Sequence, residues 1–349
     1  MIVVRPIQTS DLDALVELAS AAGYGLTTLP HDRELLHKRI LKSQRSFRDM
    51  GDCPSGEAYL FVAEDITTGR VVGTSGIVSK VGGFQPFYAY RLETALHQSE
   101  ILGVHKEIRK LHLVAEHNGP SEIGSLFLAP LYRRESNGRV LSLARFLFMA
   151  EHHSCFDPIV VAEMRGVIDD AGRSPFWDAI GRHFFDVDLP KADYLSMVDK
   201  RFIADLMPRH PIYIPLLPSD AQRVIGQVHE QTRPAAKLLE AIGFRDSGMV
   251  DIFDAGPVVT CRLEDIRTAQ LSRSAKVTSI TDGSSSEPSF LIANPAPEFR
   301  ACLGWLDLAN GVGIDRATAD ALKVEIGDTI RFVPLRPESL PNSDMGSGI

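Results

Sequence analysis

The chain opens on an apolar run: Ile2, Val3, Val4 and Ile7 predict a strand over residues 2–7. The period then changes. Leu12, Leu15, Val16, Ala19 and Ala22 recur at the spacing of one helix face, and Ser10 with Asp13 three residues on approximates a capping box. The glycine-rich residues 23–30, GYGLTTLP, break that helix, and a strongly charged second helix is expected over 32–47. Residues 59–64 and 70–78 return to β character around the Thr68-Gly69 turn, which is a hairpin signal. Between 85 and 120 the chain is rich in Tyr and His and no period dominates.

A short apolar strand is expected over 122–128, followed by the sequence YRRESNGR at 132–139. Residues 140–152 are apolar nearly all round (Val140, Leu141, Leu143, Ala144, Phe146, Leu147, Phe148, Met149), the pattern of a buried helix. A strand at 159–163 follows, then helices at 175–184, 202–206 and 233–242, the last stopped by Gly243, and a strand at 250–253. Beyond residues 254–257, DAGP, the texture changes to short β runs at 258–263, 276–280, 290–293 and 329–334, interrupted by one helix near 316–322. This suggests an α+β body over 1–254 with an insertion around 167–230, and a small β-rich domain over 255–335 with a loop at 282–288. A disordered tail is expected over 336–349.

Composition narrows the class. A length of 349 residues suits about two domains, and a net charge of −8 with a pI near 5.8 argues against an extended nucleic-acid surface. No run approaches the roughly 20 apolar residues of a membrane span. Arg5 and Pro6 follow three apolar residues, so no signal-peptide core is expected. Cys53, Cys155, Cys261 and Cys302 form no C-x-x-C pair, and no H-E-x-x-H spacing occurs, so neither a disulfide framework nor a metal is expected. The reading is a cytoplasmic protein without nucleic-acid or membrane partners; an oligomer of one or two kinds of chain is left open.

Against this acidic background one local basic cluster stands out. Strand, then R-x-x-S-x-G (Arg133, Ser136, Gly138), then buried helix places unpaired helix N-terminal N–H groups beside Arg133, Arg134 and Arg139. Such a turn can hold a pyrophosphate, with Gly138 letting the backbone approach closely and the arginines adding charge-assisted hydrogen bonds. The bare string recurs by chance; the strand before it and the helix after it give it weight.

The order of elements around this loop resembles the GNAT acyltransferase superfamily, in which the loop binds the pyrophosphate of coenzyme A. Ser136 departs from the glycine usual there. The segments GLTTLP, SLFLAPLYRRESNGRVLS, VVAEMRG, SPFWDAIGRHFF, IGQVHEQTRPA and DIFDAGP resemble, more narrowly, the arginine N-succinyltransferases, from residue 1 to about 335. The resemblance implies a GNAT-like mixed sheet flanked by helices and no tightly bound cofactor. It also implies transfer of a succinyl group from succinyl-CoA to the α-amine of L-arginine. It implies further that His229 is the proton donor, that Leu126 contacts succinyl-CoA through its backbone, and that Arg133, Arg134, Ser136, Asn137, Gly138 and Arg139 form the CoA-binding loop. Glu122 and Glu163 could assist loss of the amine proton, and Arg165 and Arg91 could hold a carboxylate; the sequence assigns none of the four. Ornithine or another basic amino acid is the rival substrate, and a non-catalytic CoA- or amino-acid-sensing protein the rival class.

Overall fold

The computed structural model describes residues 1–337 except 24, 25, 27, 84, 135, 283–286, 296, 297 and 310. The chain begins with β1 (Ile2–Pro6), a 3₁₀ turn at Thr9–Asp11, α1 (Leu12–Ala22) and α2 (Arg33–Arg48). The first helix is capped earlier than Ser10 and Asp13 suggest. The Asp11 carboxylate accepts the Gln8 N–H at 2.7 Å and is held by the Arg5 guanidinium at 2.7 and 3.0 Å, which leaves Ser10 inside the 3₁₀ turn. The expected hairpin is β2 (Ala58–Asp65) and β3 (Arg70–Val78), turning at Gly69 with φ 69°.

The stretch without a period is a second hairpin, β4 (Phe87–Ser99) with β5 (Val104–Glu116), paired from Phe87↔Glu116 to Ser99↔Val104. Only its base is continuously buried, at residues 87–90; farther out polar residues stand on both faces, so alternation is lost. Next come β6 (Ser121–Leu128), α3 (Asn137–Glu151) and β7 (Ile159–Glu163).

The expected insertion contains α4 (Pro175–Ala179), α5 (Gly181–Phe185), α6 (Leu189–Val198), α7 (Arg201–Leu206), the two-residue β8 (Ile212–Tyr213) and α8 (Ser219–Val224). The single helix expected over 175–184 is broken at Ile180. There Gly181 packs so closely that a Cβ would lie 2.2 Å from the Trp177 ring.

After α9 (Arg233–Ala241) the chain reverses at Gly243, φ 120°, into β9 (Arg245–Val250) and β10 (Pro257–Arg262). The strand expected at 250–253 ends at Val250 instead, because the Asp251 carboxylate accepts the N–H groups of Phe253 (2.7 Å) and Asp254 (2.9 Å) and turns the chain. The remainder is α10 (Arg267–Gln270), β11 (Arg273–Thr281), β12 (Phe290–Ala293), β13 (Ala301–Gly304), β14 (Leu306–Asp307), β15 (Val312–Asp315), α11 (Arg316–Leu322) and β16 (Thr329–Pro334). Most of the expected loop at 282–288 and of the expected tail lies outside the described residues.

The fold is α+β. Its strands are ordered β14-β15-β11-β16-β12-β13-β1-β2-β3-β6-β7-β10-β9-β4-β5-β8. The central run from β1 to β9 is antiparallel except for β6 beside β7. The β4–β5 hairpin extends one edge through β9, and the C-terminal strands extend the other through β13 beside β1. Residues 258–263, grouped by texture with the C-terminal region, in fact form most of β10, seated between β7 and β9 in the main sheet.

Helix α3 is the hub. Phe148 meets Phe47, Tyr59, Phe61 and Phe299 at ring distances of 5.2–5.5 Å, tying α2, the sheet and the C-terminal region into one core. Each such ring contributes about 1.5–3 kcal/mol on burial. No helix among the described residues is long and apolar enough to cross a membrane.

Candidate active site

Parallel β6 and β7 pair at Ser121↔Val160 and Glu122↔Val161, after which β6 continues to Leu128 while β7 ends at Glu163. The two strands part there. On its other side β6 meets β3 with Gly124 opposite Gly76 and Phe127 opposite Thr74, so that Ser125 and Leu126 together face Ser75. This bulge, with Ser125 at φ 51°, takes backbone groups out of the ladder beside the opening. Ser125 donates its N–H to Thr28 Oγ1 at 3.1 Å, and its hydroxyl accepts from the Arg39 guanidinium at 3.3 Å. Leu126, half-buried, sits in the bulge.

Below the opening lies a cavity lined by Thr28, Glu122, Ser125, Glu163, Arg165, Asp251 and Asp254, among others. Thr28 and Leu26 bring part of the GLTTLP segment to it; Tyr24, Gly25 and Thr27 of that region are outside the described residues. Asp254 is committed to the backbone, accepting the N–H groups of Gly166 (2.7 Å) and Gly256 (2.8 Å). The approach needs glycine: a Cβ on Gly256 would fall 1.9 Å from the Met164 carbonyl oxygen. Asp251 has one oxygen engaged in its own turn.

Burial raises the Glu122 carboxyl, opposed by the Lys200 and Arg39 charges. Glu163 opens onto the cavity at the end of β7, with protein packed closely around it. Burial, then the charges of Glu122 and Asp251, push it well above the carboxylate range. Asp251 is raised by burial, and Asp254 well raised by burial and by Asp251. Burial lowers Arg39 to about 10.

His229 stands on the rim. Its backbone N–H donates to the Arg165 carbonyl at 2.8 Å, and its Nδ1 accepts the Gln231 N–H at 3.2 Å, starting the 3₁₀ turn that feeds α9. The neutral ring therefore carries its proton on Nε2. Burial, then the Arg165 charge, lower its pKa, with the Ile168 carbonyl working in the opposite direction.

The basic loop lies at the other end of β6. Ser136 takes the left-handed conformation (φ 66°, ψ 6°) at the start of α3, so the loop turns as a glycine would allow. Asn137 donates its side-chain amide to the Tyr132 carbonyl at 3.1 Å. Arg133 donates to the Leu128 carbonyl at 2.9 Å and lies over the Phe127 ring at 5.4 Å. Arg133 and Arg134 are exposed and Arg139 half-buried; Glu135 is outside the described residues. A Cβ on Gly138 would meet only Leu128 Cδ2, at 3.9 Å, so nothing in the protein itself demands glycine there. Ser136 and Asn137 also line a second cavity with Met1, Ile2, Pro288 and Leu335.

A family model described as arginine N-succinyltransferase beta subunit matches residues 2–268, and one for the C-terminal domain of that subunit matches residues 273–334. The chain belongs to the arginine N-succinyltransferase family. It is 43% identical over 342 residues to proteins named arginine N-succinyltransferase from Enterobacter sp. (strain 638) and Escherichia coli O139:H28, covering 97% of this chain and 99% of theirs. A solved structure described as arginine/ornithine succinyltransferase subunit AI from Pseudomonas aeruginosa superimposes with a TM-score of 0.87 at 36% identity, covering 96% of this chain and 99% of that one. The expected mixed sheet flanked by helices is therefore present, and the chain is an acyltransferase.

In this arginine N-succinyltransferase family member Glu122, Glu163 and Arg165, unassigned from sequence, converge on one cavity. Arg91 does not: it is exposed on β4, opposite Met249. Sequence reading missed Asp251 and Asp254, which look like ordinary turn residues in DIFDAGP. It also missed Arg145, only 2% exposed in the middle of an apolar helix, whose guanidinium reaches the Gly124 carbonyl at 3.4 Å from behind the bulge. A charged residue in an otherwise apolar helix was the available signal for Arg145; for the aspartates none existed.

His152, at the end of α3, packs on Phe148 at 4.7 Å and has its pKa lowered by burial.

Proposed function

We propose that this chain transfers the succinyl group of succinyl-CoA to the α-amine of L-arginine. The observation that carries it is the parting of β6 from β7, with a basic helix-start loop at one end and an acidic cavity beside His229 at the other. The loop residues Arg133, Arg134, Ser136, Asn137, Gly138 and Arg139 hold the CoA phosphates, and the thioester lies along the parted strand. The N–H of Leu126 polarises the thioester carbonyl. The amine nitrogen attacks, a C–N bond forms, and the tetrahedral intermediate collapses with cleavage of the C–S bond.

Because its pKa is lowered, His229 rests neutral at pH 7. It becomes the proton donor by first taking the proton released from the attacking nitrogen on Nδ1, the contact from the Gln231 N–H opening as it does so, and then delivers its Nε2 proton to the departing CoA sulfur. No metal or tightly bound cofactor enters this scheme. The location proposed is cytoplasmic. The proposed division is an acyltransferase body with an insertion around 167–230, and a β-rich C-terminal unit, with β10 going to the body.

Release of free thiol on mixing protein, succinyl-CoA and arginine tests the reaction; no thiol above the hydrolysis blank would refute it and favour a sensing protein. The Pseudomonas relative's description keeps ornithine as a second reading. Competition of arginine with ornithine in one reaction, read by mass, decides between them, and a dominant succinyl-ornithine product would favour ornithine.

A further inference from the structure

We infer that the acidic cavity is the receptor for the guanidinium end of the amino-acid substrate, held by Glu122, Glu163 and Asp251, with Arg165 taking the α-carboxylate at the other end. This rests on the proposed amine acylation and adds which atoms of the substrate meet which residues.

Chain geometry is the first support. Glu122 comes from β6, Glu163 from the end of β7 and Asp251 from the turn after β9, so three separate segments aim carboxylates into one space. Glu122 is half-buried and Glu163 opens onto the cavity, and no described residue hydrogen-bonds either carboxylate. A buried carboxylate without a hydrogen-bond partner is costly, and a cation that enters to pair with it offsets that cost. The protein's own cations do not complete the match. Arg39 and Lys200 bear on Glu122, and Arg165 on Asp254, while for Glu163 the neighbouring carboxylates outweigh Lys200.

Length decides which end of the substrate goes where. Glu122 precedes Leu126 by four residues, at most about 13 Å along the strand and less with the bulge at Ser125 between them. An α-nitrogen attacking a carbonyl at Leu126 leaves the guanidinium carbon of arginine six bonds away, about 7–8 Å farther with ordinary bond lengths near 1.5 Å. Adding a hydrogen bond of about 3 Å at each end gives a reach of about 13 Å, enough to bring the guanidinium to Glu122. Arg165 follows Glu163 beyond the end of β7 and lines the same cavity, its carbonyl accepting the His229 N–H at 2.8 Å, so it stands at the His229 side. Arg165 carries a buried Nε–H without an acceptor among the described residues, which suits a carboxylate arriving there. Two carboxylates across parted strands, in turn, suit the planar five-donor fork of a guanidinium.

The test is steady-state kinetics of Glu122→Gln and Glu163→Gln with arginine and with citrulline, its neutral ureido counterpart. Each variant is expected to raise the KM for arginine about 10- to 100-fold, the worth of a charge-assisted hydrogen bond, and to shrink the preference over citrulline. The KM for succinyl-CoA should hold within about twofold, since the loop is distant. A fall in kcat shared equally by arginine and citrulline, with the preference intact, would overturn the assignment and place the carboxylates at the amine. Should a variant fail to fold, the parent protein still decides. 5-Guanidinovalerate should compete with arginine far better than its ureido analogue, and equal competition would overturn the inference. A parent that binds arginine but releases no thiol would remove the proposed reaction while leaving the receptor standing.

Discussion

The two ends of β6 carry opposite charge under opposite conditions. At the loop end Arg133 and Arg134 stand in water, where a cation costs little and can be kept for solubility alone. At the cavity end Glu122, Glu163 and Asp251 crowd one another around a shared cavity, and their carboxyls are raised. A fold does not keep such a cluster for stability, because removing a charge from water without pairing it is expensive. Exposed arginines thus become evidence for a ligand only through their place at the start of α3. Crowded carboxylates without hydrogen-bond partners are neutralised either by a proton or by a cation that enters among them. The proposed ligands differ accordingly: a long anionic tail that stays partly wet, and a compact cation held among carboxylates.

His229 joins the two ends, and its loss should have the largest effect. His229→Ala is expected to lower kcat about 10²–10⁴-fold, while binding of succinyl-CoA, measured by calorimetry, stays near the parent value. An unchanged kcat would remove it from the chemistry. The lowered pKa also sets a direction. At saturating substrates kcat should fall as pH drops through a value below the ordinary 6.5, because protonated His229 cannot accept the amine proton. Loss of activity on raising the pH instead would mean that the resting donor form is the active one.

Gly138→Val isolates the loop end. The protein leaves room for a side chain at this position, so thermal stability should change little beyond helix propensity, well under about 1 kcal/mol. Succinyl-CoA binding should weaken roughly tenfold or more, since the new methyls stand where phosphate approaches the backbone. Equal affinity in parent and variant would move the phosphates elsewhere.

Glu163→Gln sharpens the cavity end through stability. Glu163 has its folded pKa raised above the ordinary glutamate value of 4.5, so the folded state binds this proton more tightly than the unfolded state. Its favourable contribution is complete below 4.5 and is lost as pH rises through the folded value. Glutamine does not ionise. The variant should therefore melt higher than the parent at pH 7 without substrate, the gap closing as pH falls below 4.5. Added arginine should narrow the gap at pH 7 by stabilising the parent more. A variant that melts lower at pH 7 would show that the ionised Glu163 is already well paired.

How much of this was legible in the sequence follows from how each part is encoded. The loop is contiguous: Arg133, Ser136 and Gly138 fall within six residues between a strand and an apolar helix, so motif and context are read together. The hairpin at 58–78 and the stop at Gly243 were visible for the same local reason. The cavity is the reverse case. Glu122 and Asp251 are 129 positions apart, and only the sheet order, with β7 and β10 between their strands, brings them to one space. The bulge at Ser125 and Leu126 was equally invisible, because non-glycine residues hold it and nothing in SLF announces a left-handed backbone. The β4–β5 hairpin escaped because most of it is wet on both faces, where hydrophobic alternation has no reason to exist.

Arg133→Ala should give the smallest effect. This side chain is already occupied: it donates to the Leu128 carbonyl at 2.9 Å and covers the Phe127 ring at 5.4 Å. Holding that geometry places its charge beside the start of α3, so part of the loss on truncation is positional. The charge itself acts in water, where an exposed ion pair contributes about 0.2–1 kcal/mol, which is a factor of roughly 1.5 to 5 in affinity. The KM for succinyl-CoA should rise by such a factor with kcat nearly unchanged, and the difference should shrink with added salt because the Debye length falls from about 10 Å at 0.1 M to about 3 Å at 1 M. Glu122→Gln gives the opposite salt response if the comparison holds, since a buried pair is screened far less and its effect on arginine should survive the same salt. Equal salt sensitivity at the two ends would mean that the cavity is as wet as the loop, and the contrast between them would fail.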